Sequence, residues 1–192
     1  MRTVTLIAKG PSASRADEFI AMAQETDVAT VNDSGELTTS RIDFCFIQHS
    51  WLIPDVEPHK DRVCKFVSEM SDGPDWFISR LIKIQTEPCA GSIQDLQDRI
   101  LSGGLCQHNT ANGALHWLAK HGRYEKIRII GIDGGVEYAS GVNPPSESER
   151  ARIAKAENRN DFLTLWREVT QNLVSVLQSV YGVEIEWMKL CG

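Results

Sequence analysis

The residues best suited to chemistry stand where short apolar runs give way to glycine and small polar side chains. Val4-Thr5-Leu6-Ile7-Ala8 runs into Lys9, Gly10, Pro11 and Ser12, and a helix-like stretch follows. Much later, Ile127-Arg128-Ile129-Ile130 runs into Gly131, Ile132, Asp133, Gly134 and Gly135. Glycine at a strand-to-helix turn lets a ligand approach the backbone. A helix start offers unpaired N–H groups and partial positive charge, to which phosphate is a natural guest. An ordinary turn with a helix cap explains Gly10, Pro11 and Ser12 equally well. Asp133 can bind ribose hydroxyls, hold a metal or position an acceptor, or it can bond to its own loop as turn aspartates do. Ile132-Asp133-Gly134-Gly135 gains nothing obvious from a charge, which favours a functional role. Tyr138, a few residues on, could donate its hydroxyl to a leaving phosphate.

Three further groups fit the same pattern. Asn32 ends the run Val28–Val31, and its amide can donate and accept at once, suiting a base, a ribose or a turn. His49 and Ser50 end the run Phe44–Ile47. His49 could move a proton or sit as a satisfied, partly buried polar group. Asn109, Thr110 and Ala111 open a helix-like stretch, making a second anion-friendly helix start unless they simply cap it. His116 and His121 on that stretch read as structural, since their spacing lacks a matching carboxylate.

The elements that must position these residues alternate between strand and helix. Ala16 to Glu25 reads as helix, with Ser12 or Ser14 as its cap. Val28–Val31 and Phe44–Ile47 read as strands. Val63–Val67 and Phe77–Ile84 are short apolar runs that periodicity leaves open between strand and helix. Ser92 to Leu101 reads as helix with a serine cap, and Thr110 to His121 as a helix stopped by Gly122. Residues 134–160 read as a long loop with room to move. Asp161 to Tyr181 reads as an amphipathic helix, with Leu165, Val169, Leu173, Val176, Leu177 and Val180 on or near one face. Gly182 ends it, and Val183–Trp187 is a last strand. This order argues for an α/β fold, one Rossmann-like domain over 1–192, its mostly parallel sheet covered by helices on both faces. In such sheets ligands sit beyond the carboxyl ends of the strands.

The totals narrow the partners. The 192 residues carry a net charge of −6, which disfavours non-specific binding to nucleic acid. No apolar run approaches membrane-spanning length, and the amino-terminal run is too short for a signal peptide, so a cytoplasmic location is expected. Five scattered cysteines with no Cys-x-x-Cys pair argue against a disulfide framework or a zinc site. Cys45 and Cys64 read as small buried hydrophobes. Self-association into a homo-oligomer is open.

Together, and in this order, the pieces resemble the bacterial sialyltransferases that use CMP-sialic acid. They are also similar to related Rossmann-like proteins that include archaeal-type 6-hydroxymethylpterin diphosphokinases. The resemblance rests on the strand ending in Gly10-Pro11-Ser12, the strand ending at Asn32, the helix opened by Thr110-Ala111, and the run from Ala119 to Asp133. It implies a nucleotide or nucleotide-sugar held by Gly10, Ser12, Asn32 and the Thr110 helix start, with Asp133 at the donor or acceptor side. Two departures are specific. No histidine follows His121, so the family's downstream histidine base cannot be carried over, and Lys9 stands where a small or amidic residue is usual. The expected activity is group transfer, first a glycosyl transfer from a nucleotide-sugar, with Asp133 or His49 as base. ATP-dependent diphosphoryl transfer and a non-catalytic nucleotide-binding module are the alternatives. Mg²⁺ is admissible at Asp133 through a phosphate-bridged ligand.

Overall fold

The structure, a computed structural model, describes residues 2–23, 25–88, 92–107, 109–132, 139–140, 142 and 159–188. The first half holds β1 (Thr3–Ile7), α1 (Ala16–Met22), β2 (Asp27–Val31), β3 (Ile42–Phe46), α2 (Ile53–Val56), β4 (Val63–Ser68), α3 (Asp75–Ile78) and β5 (Leu81–Lys83). The second holds β6 (Glu87–Pro88), α4 (Ile93–Leu101), β7 (Cys106–Gln107), α5 (Thr110–His121), β8 (Lys126–Ile130), α6 (Arg159–Tyr181) and β9 (Glu184–Trp187). Seven strands make one sheet in the order β5-β4-β3-β2-β1-β8-β9, and every neighbouring pair is parallel. The short β6–β7 pair stands apart from it. The order turns back at β1: the chain steps outward from β1 to β5, then lays β8 on the other side of β1. That reversal marks the place where open α/β sheets hold their ligands.

Both faces of the sheet are covered, as the alternation of side chains requires. On one face, Val4, Leu6, Ala29, Val31 and Ile129 pack under Leu96, Leu115, Leu118, Leu173 and Leu177 of α4, α5 and α6. Trp117 of α5 sits over β3, its ring 5.2 Å from that of Phe44 and 5.5 Å from that of Phe46. On the other face, Ile7, Val28, Cys45 and Phe66 meet Phe19 of α1, Val56 of α2 and Phe77 of α3. β1 is buried along its whole length, Thr3 and Thr5 included, with Val4, Leu6 and Ile7 as its apolar residues. The fully buried Cys45 thiol is pushed up to about 12 by desolvation, so it behaves as a hydrophobe.

Several sequence expectations hold. Ser92 caps α4 by accepting from the Asp95 N–H at 3.2 Å, and α5 spans the expected Thr110–His121. Val169, Leu173, Val176 and Leu177 are buried on α6, and Gly182 ends that helix at φ +67°. Others are corrected. Neither Ser12 nor Ser14 caps α1: Ser14 donates to the Pro11 carbonyl at 2.9 Å, and Ser12 accepts from the Gly131 N–H at 2.8 Å. α1 stops at Met22 rather than Glu25. The run from Phe77 to Ile84 divides into the end of α3 and then β5. Cys64 is only partly buried and accepts from the Arg41 Nε–H at 2.9 Å.

The outer strands are short or charged. β5 has three residues. β9 carries Glu184 and Glu186, both paired with Lys126 at 2.8 and 2.9 Å, and Arg128 also reaches Glu186 at 3.2 Å. Lys126 and Arg128 hold Glu186 below the usual carboxylate range, the Lys126 hydrogen bond contributing most against a partial desolvation. No helix among the described residues is long and apolar enough to cross a membrane.

Gly131 closes the join between β1 and β8. Its φ is +79°, and a Cβ there would lie 2.7 Å from the Ala8 carbonyl oxygen and 2.9 Å from the Ala13 Cβ. Gly131→Ala combines left-handed strain with a clash against backbone and is expected to destabilise the fold by about 2–4 kcal/mol, read as a lower urea midpoint at unchanged slope.

Candidate functional site at the carboxyl edge of the sheet

Because the strands are parallel, their carboxyl ends share one rim. Across it stand Ser68, the last residue of β4, and Glu69 after it, Gln48 and His49 after β3, Asn32 and Asp33 after β2, Lys9 to Ser12 after β1, and Gly131 and Ile132 after β8.

At the switch point the two loops are stitched together. The Ala8 N–H donates to the Ile130 carbonyl and the Gly10 N–H to the Gly131 carbonyl, both at 2.8 Å. The Ser12 hydroxyl accepts from the Gly131 N–H, and Ser12 is buried. Pro11 is exposed beside it. Ser12 thus joins two strand ends, a role that the Gly-Pro-Ser run alone does not reveal.

The β2 end is held as firmly. Asn32 adopts φ +53°, the left-handed region where asparagine is tolerated among non-glycine residues. It opens a 3-10 turn over Asn32–Leu37. The Ser34 hydroxyl donates to the Ile7 carbonyl at 2.8 Å and accepts from the Val31 N–H at 2.9 Å. Arg62 donates to the carbonyls of Gly35 and Thr38, and the His59 ring packs on Gly35 with Nδ1 2.9 Å from Glu36. The Asn32 Oδ1 is buried without a hydrogen-bond partner. Such a group is costly to leave unsatisfied, so a ligand N–H or O–H would find a ready acceptor there. Its neighbour Asp33, 2% exposed, pairs with Lys9 at 2.8 Å, linking the loops after β1 and β2.

The third strand end meets α5. The Thr110 hydroxyl donates to the Gln48 Oε1 at 3.0 Å. Asn109 caps α5 by accepting from the Asn112 N–H at 2.9 Å, and Ala111 packs against the core. Beside Gln48, the His49 ring stacks on Trp51 with centroids 4.1 Å apart and planes 11° from parallel. Burial lowers the His49 pKa, partly countered by the Glu69 charge, so the ring favours its neutral form. Ser50 is exposed.

A cavity of about 270 Å³, counting space open to solvent, lies between this corner and β4. Phe46, Val67 and Ile84 give apolar walls, while Gln48, Ser68, Glu69 and Thr110 give polar groups. Thr86 fixes Glu69, donating from its N–H at 2.6 Å and its hydroxyl at 2.7 Å to the same carboxylate oxygen.

The candidates therefore lie along one edge. Thr110 reaches the cavity, with His49 one residue from its Gln48 wall; Ser12 and Gly10 belong to the β1–β8 join; Asn32 stands on the intervening strand. Asp133, Gly134 and Tyr138 lie outside the described residues. Among the described residues no three histidine, cysteine or acidic side chains converge to hold a metal. His116 is structural as expected, fully buried with Nε2 3.5 Å from the Tyr181 hydroxyl. The Lys9–Asp33 pair, Gln48, Trp51 and Glu69 were not among the sequence candidates. Their only sequence signal is position, each standing at or just past a strand end.

The sequence matches no protein-family model, and no curated protein matches it significantly. Solved structures do share its fold. The sialyltransferase CST-II in complex with a trisaccharide acceptor and CMP aligns over 97% of this chain and 80% of that one, at 12% identity and a TM-score of 0.56. CstII from Campylobacter jejuni with cytidine-5'-monophosphate aligns over 97% and 79%, at 11% identity and 0.57. The same enzyme with CMP-3FNeuAc gives 97% and 81%, at 13% and 0.51. The chain has a sialyltransferase-like fold.

Lys9→Met leaves the buried Asp33 carboxylate without its cation and is expected to cost about 3 kcal/mol. Adding Asp33→Asn removes the stranded charge and should recover most of that loss in a double-variant denaturation series.

Proposed function

We propose that this protein transfers a glycosyl group from a nucleotide-linked donor to an acceptor hydroxyl. The observation that carries the reading is a fold shared with CMP-bound sialyltransferases over 97% of the chain, with polar groups gathered on the ligand-binding edge of the sheet. Fold alone does not assign chemistry, so the site residues supply the rest.

In this reading Asn32 presents its unpartnered Oδ1 to the nucleotide. The loops around Gly10 and Thr110 border the phosphate. The acceptor oxygen attacks the anomeric carbon as the bond from that carbon to the phosphate oxygen breaks. The bonding electrons leave with the nucleotide, and a base takes the acceptor proton. His49 is neutral enough to accept it, and Asp133 is the other candidate.

The absence of any histidine after His121 favours a second reading, a module that keeps the pocket without the base. Thermal-shift titration with CMP, UDP, GDP, ATP and their sugars separates donor classes, because a ligand of the native state raises its melting temperature. Free nucleotide released from a sugar donor supports the transferase; binding without turnover supports the module; Mg²⁺-dependent AMP release from ATP points instead to diphosphoryl transfer.

The base is found by substitution. Whichever of His49→Asn and Asp133→Ala removes it should lower turnover about 10²-fold or more with the melting temperature kept. If His49 is the base, the lowered pKa sets the sign. Activity rises as pH climbs through an ionisation below histidine's ordinary value, and the His49→Asn variant loses that limb.

A further inference from the structure

We infer that His59, seated on Gly35 and bonded to Glu36, is a positioning residue that holds Asn32 ready for its ligand. This deepens the glycosyl-transfer reading, and it rests on that reading only for the ligand's being a nucleotide.

Asn32 combines two features that a loop left to itself would shed. Its φ is +53°, and its Oδ1 is buried with no donor. Both are relieved if the turn opens, since the backbone returns to negative φ and the amide meets water. The turn over Asn32–Leu37 must therefore be restrained from outside. Its first half is tied to β1, through Ser34 on the Ile7 carbonyl, and to Lys9 through Asp33. Its second half is tied to a different segment, the 3-10 turn over Glu57–Arg62.

His59 is the centre of that second tie. Its side chain is 1% exposed, and Nδ1 lies 2.9 Å from the Glu36 carboxylate. A carboxylate only accepts, so Nδ1 carries the proton and Nε2 keeps a lone pair. Nε2 is buried without a partner. An apolar side chain would fill the same space with no orphaned nitrogen, but it would lack the bond to Glu36. Gly35 is matched to the ring. Its φ is not positive, so its backbone does not call for glycine. A Cβ there, however, would lie 2.3 Å from Nε2 and 2.4 Å from Cδ2 of His59. The missing Cβ is the seat of the imidazole. From the end of the same 3-10 turn, Arg62 donates to the carbonyls of Gly35, Thr38 and Ser40. Two turns are thus interlocked by side chains, and the one at the rim carries Asn32. Holding that acceptor in place beforehand lowers the ordering cost of binding.

The test uses the intact chain, with amide hydrogen exchange across Asn32–Leu37 and titration with CMP, UDP, GDP and ATP. His59→Ala should speed exchange in that turn about tenfold, the size of one lost hydrogen bond, while β1 and β8 keep their protection. Affinity for whichever nucleotide the wild type binds should fall by a similar factor. His59→Asn, whose amide N–H falls near the Nδ1 position, should recover part of both losses. Gly35→Ala should reproduce the losses by unseating the ring. The double variant Gly35→Ala/His59→Ala should be no worse than His59→Ala alone, because the clash is gone. A histidine with only a structural role would lower the melting temperature and leave nucleotide affinity unchanged wherever the variants are folded. Unchanged exchange in His59→Ala, faster exchange with unchanged nucleotide affinity, or losses that simply add in the double variant would each overturn the positioning role. If the wild type binds no nucleotide, the transferase reading falls, and the exchange results alone decide whether His59 holds Asn32.

Discussion

All seven strands of the sheet run in one direction, and the rest of the molecule follows from that constraint. Parallel pairing buries both faces of the central strands, so every residue of β1 is covered, its Thr3 and Thr5 included. It also forces each strand to end at the same rim, where the chain must turn into a helix or loop on one face or the other. Residues as distant as Gly10 and Gly131 become neighbours in this way. The bonds from Gly10 to Gly131 and from Gly131 to Ser12 then lock the two strands on which the order reverses.

The rim is electrically divided. At the β1–β2 corner, the half-buried Lys9 ammonium and the buried Asp33 carboxylate pair at 2.8 Å. Such a pair contributes little net stability after desolvation, but it fixes where two loops sit. At the β3–β4 corner the cavity has a carboxylate and no cation among its described walls. Two corners of one rim thus differ in charge: a balanced one beside Asn32 and an acidic one beside Glu69.

Much of the fold was legible because long-range burial leaves a local trace. Ile127, Ile129 and Ile130 are buried, with only Arg128 between them turned to an ion pair with Glu186, and Thr110–His121 is flanked by Asn109, which caps it, and Gly122, which stops it. The stretch from Phe77 to Ile84 was not legible. One helical turn and a three-residue strand are too short to express a period, and only pairing with β4 decides the matter. Ser12 misled for a related reason: a serine before a helix looks like a cap, but its hydroxyl meets Gly131, 119 residues away in sequence, first. The site was legible as a set of strand ends and no further. Glu69 carries no local signature because the end of β4 was itself ambiguous.

The margins of the sheet carry a consequence for how the protein behaves in a crowded solution. A bare strand edge invites a stranger's backbone to extend the ladder, and long flat hydrophobic edges seed fibres. Here β5 offers only three residues of template, and β9 presents two glutamates already engaged by Lys126 and Arg128. Polymerisation through either flank is thereby discouraged.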